Sequence, residues 1–223
     1  MERIVKALVF DFDGLILDTE SAEYGSWKEI YSGLGCVLPF DLWAASIASD
    51  SFEPHEHLEK LAKRQLSRSE IEERRELHFE RIMADMQILP GVLELVANAK
   101  AHGIRVGIAS NSSHEWLDRF LVRYEISKLF EVVSSQDDVG VAKPNPAVYQ
   151  SALTRLGVDA SDAIAFEDSP NGVESAKRAG IFCVAVPGPV TESLSFDHAD
   201  LRLKSLADMP LERLLSVFTN SAS

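Results

Sequence analysis

Val5-Lys6-Ala7-Leu8-Val9-Phe10-Asp11-Phe12-Asp13-Gly14 decides how this chain is read. Residues 5–10 are a short apolar run rich in strand formers, the pattern of a strand buried on both faces. The run ends on two carboxylates and a glycine. Ligands of open α/β sheets bind beyond the carboxyl ends of the strands. A bend at Gly14 brings both acids toward one place. Taken alone, the tetrapeptide is equally a polar strand end closed by an Asx turn.

Working outward, similar runs recur at 104–109, 130–133, 163–166 and 182–186, with a weaker one at 200–203. Helical patterns separate them. Val92, Leu95, Val96 and Ala99 have helical spacing, and Gly103 follows as a C-terminal glycine. Ser112 and Glu115 read as a capping box ahead of Leu117, Phe120, Leu121 and Tyr124. Asn145-Pro146 and Ser169-Pro170 open helices that Gly157 and Gly180 close. Strands alternating with helices predict a parallel sheet. Residues 18–87 break the alternation. Ser69 and Glu72 read as a capping box, and Phe79, Ile82, Met83 and Met86 line one helix face. Leu89-Pro90-Gly91 marks the return. The expected fold is α/β: a Rossmann-like parallel-sheet core (1–17 and 88–223) with an inserted all-helical cap (18–87). The small, polar tail 219–223 is expected to fray.

The chain has 223 residues and a net charge of −13. That charge argues against nucleic acid and anionic membranes as partners. No apolar run approaches the ~20 residues that cross a bilayer. Met1-Glu2-Arg3-Ile4 leads into the strand rather than to a signal cleavage site, so a cytoplasmic location is expected. Cys36 and Cys183 form no CxxC pair and read as small hydrophobes.

Other strand ends carry chemistry too. The run 104–109 ends in Ser110-Asn111-Ser112-Ser113 ahead of a helix, a place for hydroxyls and N–H groups to cradle phosphate, or simply a cap made by Ser112 or Ser113. The run 163–166 ends in Glu167-Asp168-Ser169. Adjacent buried acids are costly without a cation or protons, although acids also suit a helix start. With Asp11 they offer oxygens to Mg²⁺. Lys143-Pro144 precedes a helix and puts an ammonium near the acids; alone it reads as a solvated loop lysine.

In this combination the chain resembles the haloacid dehalogenase-like hydrolase superfamily, in its β-phosphoglucomutase-like branch with a helical cap. The resemblance spans essentially the whole chain. It rests on Asp11-Phe12-Asp13-Gly14, Ser110-Asn111, Lys143-Pro144 and Glu167-Asp168-Ser169 with Gly172. It implies that Asp11 attacks phosphorus and that Asp13 is the general acid and base. Mg²⁺ would be held by Asp11, the Asp13 carbonyl and Asp168, with Glu167 behind them or acting through water. Ser110 and Lys143 would hold and neutralise the phosphoryl group. Gly14, Thr19, Asn111 and Ser112 would border phosphate or substrate. Dehalogenating members lack the second acid, so Asp13 favours phosphoryl transfer.

The implied substrate is a small phosphorylated metabolite, and the implied enzyme a monomeric phosphatase. The alternative is a sugar-phosphate mutase. Those mutases carry a histidine where Glu23 aligns, and a cap segment with glycine and arginine where 44–52 has neither. A catalytically inactive binding module is a remoter alternative, opposed by the cost of so many buried acids. His55, Glu56, His57 and Glu59 read as a solvated helix face rather than a metal site, and Trp27, Trp43 and Phe52 as cap core.

Overall fold

A computed structural model describes residues 4–47 and 52–221. Six strands form one sheet: β1 (Ala7–Phe10), β2 (Arg105–Ala109), β3 (Val132–Ser134), β4 (Ala163–Glu167), β5 (Phe182–Ala185) and β6 (Leu201–Arg202). The order is β3-β2-β1-β4-β5-β6, and every pairing is parallel. Each strand falls within or beside a run read from the sequence. β1 is central and buried on both faces. Leu8 and Phe10 enter one core cluster, while Ala7 and Val9 enter the other. The order proceeds outward from β1 in both directions, so the sheet's topological switch point lies beside its carboxyl end.

Helices α1 (Thr19–Gly33), α2 (Phe40–Ile47), α3 (Pro54–Ala62) and α4 (Arg68–Met83) lie between β1 and β2, with no strand among the described residues there. The remaining helices are α5 (Val92–Ala101), α6 (His114–Arg123), α7 (Gln136–Val139), α8 (Ala147–Leu156), α9 (Pro170–Arg178) and α10 (Leu211–Asn220). The first four enclose a separate core containing Trp27, Ile30, Tyr31, Trp43, Leu58 and Ile71, with Phe52 packed against it. The C-terminal half of α4 packs into the main core through Phe79 and Met83. Arg119 of α6 ties it down by bonding Glu76 (2.6 Å) and Glu80. Arg123 adds bonds to Glu80 (3.1 Å) and the Met83 carbonyl (2.9 Å).

Two caps differ from the sequence reading. Ser67, not Ser69, caps α4, accepting from the Glu70 N–H at 3.4 Å. Of the two serines offered for α6, Ser113 is the cap, accepting from the Trp116 N–H at 3.2 Å, so the capping box on Ser112 does not form. The expected frayed tail is helical as far as Asn220, while 222–223 lie outside the described residues.

The helix face expected to be solvated is so only at Glu56; His57 and Glu59 are half-buried and His55 is not on the surface. His57 Nδ1 shares a hydrogen bond with the Tyr31 hydroxyl (2.9 Å), and Glu59 accepts from the Leu66 N–H (2.8 Å). Cys36 and Cys183 are free thiols, Cys183 fully buried. No described helix is long and apolar enough to cross a membrane.

Candidate active site

Register places the acids. Phe10 of β1 pairs with Phe166 of β4, and the Asp11 N–H continues the ladder to the Phe166 carbonyl at 2.9 Å. Asp11 thus stands level with Glu167 at the sheet edge. Lys143 enters from the loop before α8. Its ammonium donates to Asp11 Oδ1 (2.6 Å) and Glu167 Oε1 (2.7 Å), with all three side chains buried. The Tyr149 hydroxyl donates to the same Glu167 oxygen at 2.6 Å. Asn111 positions this lysine, its Oδ1 accepting from the Lys143 N–H at 2.8 Å.

Asp13 is held from three sides. Thr19 Oγ1 (2.8 Å) and Trp116 Nε1 (2.9 Å) donate to its Oδ1. Ser112 Oγ donates to its Oδ2 at 2.6 Å, and Ser110 Oγ lies at 3.5 Å. Because Ser113 takes the capping role, the Ser112 hydroxyl is free for Asp13. Ser110 Oγ accepts from the Ser112 N–H at 3.0 Å, bracing the turn.

Two glycines make room for acids. Gly14 has φ of +74°, a left-handed conformation that few other residues adopt. A Cβ there would overlap the Asp168 carboxylate, so the bend after Asp13 and the seat of Asp168 require the same residue. Gly14 is buried behind the acids rather than bordering the cavity. A Cβ on Gly172, in the first turn of α9, would overlap the Glu167 carboxylate.

A cavity of about 440 Å³ opens over these groups. Asp11, Asp13, Thr19, Ser110, Asn111, Ser112, Lys143 and Asp168 border it, as do Glu20 and Glu23 of α1, Ile47 of α2, Trp116 and Asn171. Every expected site residue except Gly14 and Glu167 therefore borders one space. Trp116, Glu20, Tyr149 and Asn171 had no role in the sequence reading. Trp116 alone left a local trace: it stands three residues after the cap, in a helix turn that faces the strand ends.

The acids are unevenly compensated. Burial pushes the Asp11 carboxyl up to about 8; Lys143 opposes the shift, while Glu167 and Asp13 add to it. Burial, with Asp11 and Glu20 adding, raises Asp168 well above the usual range. Burial acts to lower the Lys143 ammonium's pKa, but Asp11 and Glu167 outweigh it, so it is raised and stays charged. Lys143 bonds two of these buried acids, Asp11 and Glu167, and not Asp168. Glu167 Oε2 and Asp168 Oδ2 are buried without a hydrogen-bond partner among the described residues. Asp11, Glu167 and Asp168 offer oxygens all within 4.8 Å of one another. Hard carboxylate oxygens with unmet acceptor capacity fit a hard divalent cation such as Mg²⁺.

Fold and site together define a parallel α/β protein with inserted helices, whose strand-end carboxylates converge on one cavity. Residues 8–186 match the model of the haloacid dehalogenase-like hydrolases. The chain belongs to that family. It is 42% identical to YhcW of Bacillus subtilis, a candidate phosphatase by name, over 95% of this chain and 97% of that one. The structure of CbbY from Rhodobacter sphaeroides with xylulose-(1,5)bisphosphate superposes with a TM-score of 0.74 at 28% identity, covering 95% of this chain and 99% of that one. β-Phosphoglucomutase from Clostridium difficile shares the fold, with a TM-score of 0.74 at 20% identity, covering 98% and 99%.

Proposed function

We propose that this chain is a magnesium-dependent phosphatase that hydrolyses a small phosphorylated metabolite through a phosphoryl group carried on Asp11. The observation that carries the reading is the convergence of Asp11, Lys143, Asp168 and a triply held Asp13 on one cavity.

In the first step an Asp11 oxygen bonds to phosphorus as the ester P–O bond breaks. Asp13 gives its proton to the departing oxygen, leaving an alcohol. In the second step Asp13 takes a proton from water, whose oxygen bonds to phosphorus. The Asp11–phosphorus bond breaks, and inorganic phosphate leaves. A carboxylate nucleophile divides one hard displacement into two easier ones. The Thr19, Ser112 and Trp116 donors keep Asp13 oriented for both proton transfers. Lys143 offsets charge on Asp11 and on the transferring phosphoryl group.

Asp11 and Asp168, with the Asp13 carbonyl, would hold Mg²⁺. Glu167 is tied to Lys143 and Tyr149 and sits behind them, keeping the lysine in place. A bound cation neutralises charge on the transferring group. Hydrolysis is favoured over the mutase reading by Glu23. It borders the cavity as an acid bonded to Arg75 at 2.6 Å, where a mutase carries a histidine. Of the cap stretch 44–52, residues 48–51 lie outside the described part.

The test is phosphate release from an aryl phosphate with Mg²⁺ and with a chelator. The reading expects turnover that the chelator stops. A folded protein that releases no phosphate under either condition would reject it.

A further inference from the structure

Glu167 takes both of its side-chain hydrogen bonds on one oxygen. Oε1 accepts from the Lys143 ammonium (2.7 Å) and from the Tyr149 hydroxyl (2.6 Å), while Oε2 is buried without a partner. The ammonium is divided between that oxygen and Asp11 Oδ1, at 2.6 Å. It also lies over the Tyr149 ring, 5.2 Å from its centre. Tyr149 stands in the first turn of α8, fully buried in the core cluster that holds Val9, Val148 and Cys183. Phenylalanine has the same ring and would pack there with no polar atom to satisfy. The hydroxyl is an added polar group, costly to bury unless bonded, and Glu167 is its acceptor. Lys143, Asp11 and Glu167 are buried as well, so water screens their attraction little. Without the hydroxyl, Lys143 would be the sole donor to the Glu167 carboxylate among the described residues, and Glu167 would draw the ammonium away from Asp11.

Deepening the phosphatase reading, on which it rests, we propose that Tyr149 is a positioning residue for Lys143. Its hydroxyl takes up part of the Glu167 charge. That leaves the ammonium shared with Asp11 and in reach of the phosphoryl group, at the cavity that Lys143 borders. Negative charge that builds up during the displacement is then met by an ammonium already in place. The contribution belongs to the transition state rather than to binding of the ester.

The test is Tyr149→Phe, which keeps the ring under the ammonium and removes only the donor. With Mg²⁺ and p-nitrophenyl phosphate, kcat should fall about tenfold while KM stays within about twofold. Inhibition by orthovanadate, which mimics five-coordinate phosphorus, should weaken by about the same factor, and inhibition by inorganic phosphate should change little. A loss of packing alone would lower Tm or the active fraction and leave the vanadate inhibition constant where it was. In a Glu167→Gln background the hydroxyl has no charge to share, so Tyr149→Phe should cost about twofold or less. Unchanged kcat in Tyr149→Phe, an unchanged vanadate inhibition constant, or an equal loss in the Glu167→Gln background overturns the inference. A folded wild-type protein that releases no phosphate from the aryl ester overturns the phosphatase reading itself.

Discussion

Trp116 Nε1 donates a hydrogen bond to Asp13 Oδ1 at 2.9 Å, linking α6 to the acid that follows β1. The same indole packs on Phe79 of α4 (5.4 Å between centroids) and Phe120 (4.9 Å). One side chain therefore touches Asp13, helix α4 and the core. Trp116→Phe retains much of the packing and removes the donor. A hydrogen bond to a charged group contributes about 1.5–3 kcal/mol, so kcat should fall roughly 10- to 100-fold with KM little changed. The loss should be larger for an alkyl phosphate than for p-nitrophenyl phosphate, whose leaving group needs less protonation. Equal losses on both esters would assign Trp116 to packing alone.

Adjacent serines should separate in their effects. Ser113→Ala removes the α6 cap and should cost about 1 kcal/mol, or about 2–4 °C in Tm, with turnover retained. Ser112→Ala removes the 2.6 Å donor to Asp13 and should lower kcat about tenfold or more with Tm nearly unchanged. Thermal denaturation and steady-state kinetics on the pair check this. The reversed pattern would restore Ser112 as the cap.

Gly172→Ala should be poorly tolerated although alanine favours helices. Its Cβ would overlap the Glu167 carboxylate, which holds Lys143 at 2.7 Å and Tyr149 at 2.6 Å. Such overpacking costs about 1–3 kcal/mol and should also displace the lysine, lowering kcat. A variant with unchanged Tm and turnover would show that Glu167 is free to move aside.

The buried acids predict a pH dependence of stability. Asp11 is raised from 3.8 to about 8 and Glu20 from 4.5 to about 8, both chiefly by burial. Between the usual carboxylate range and pH 8 the folded chain therefore holds more protons than the unfolded one. Stability must fall as pH rises through that window, when no cation is present. A divalent cation replaces those protons, so the Tm gain on adding Mg²⁺ should be larger near pH 8 than at the acid end. Thermal melts in chelator and in Mg²⁺ across the window measure it. A Mg²⁺ gain independent of pH would mean that the cation binds elsewhere.

The strands, the glycine closures and the acids at the sheet edge were readable because each is a local pattern. Asp11 and Asp168 were placed by where their strands end, which periodicity reveals; Lys143 alone reads as a solvated loop lysine, and the family resemblance put it among them. The caps slipped by one or two residues because Ser112-Ser113, and Ser67 with Ser69, offer equivalent hydroxyls to the same helix start. Only packing chooses between them. Trp116 and Tyr149 were not readable as site residues. Their partners lie 103 and 18 residues away in sequence and meet them only through the sheet order. Glu20 of α1 was equally hidden: it looks like an ordinary helix acid until the cavity is seen beside it.

The central claim is that Asp11 itself carries the phosphoryl group. It is tested most directly by acid quench during turnover of a radiolabelled phosphate ester with Mg²⁺, followed by peptide mapping. The account predicts transient label on the peptide containing Asp11, and neither label nor turnover in a folded Asp11→Asn variant. Undiminished phosphate release by that variant, with no label on the protein at any time, would contradict it.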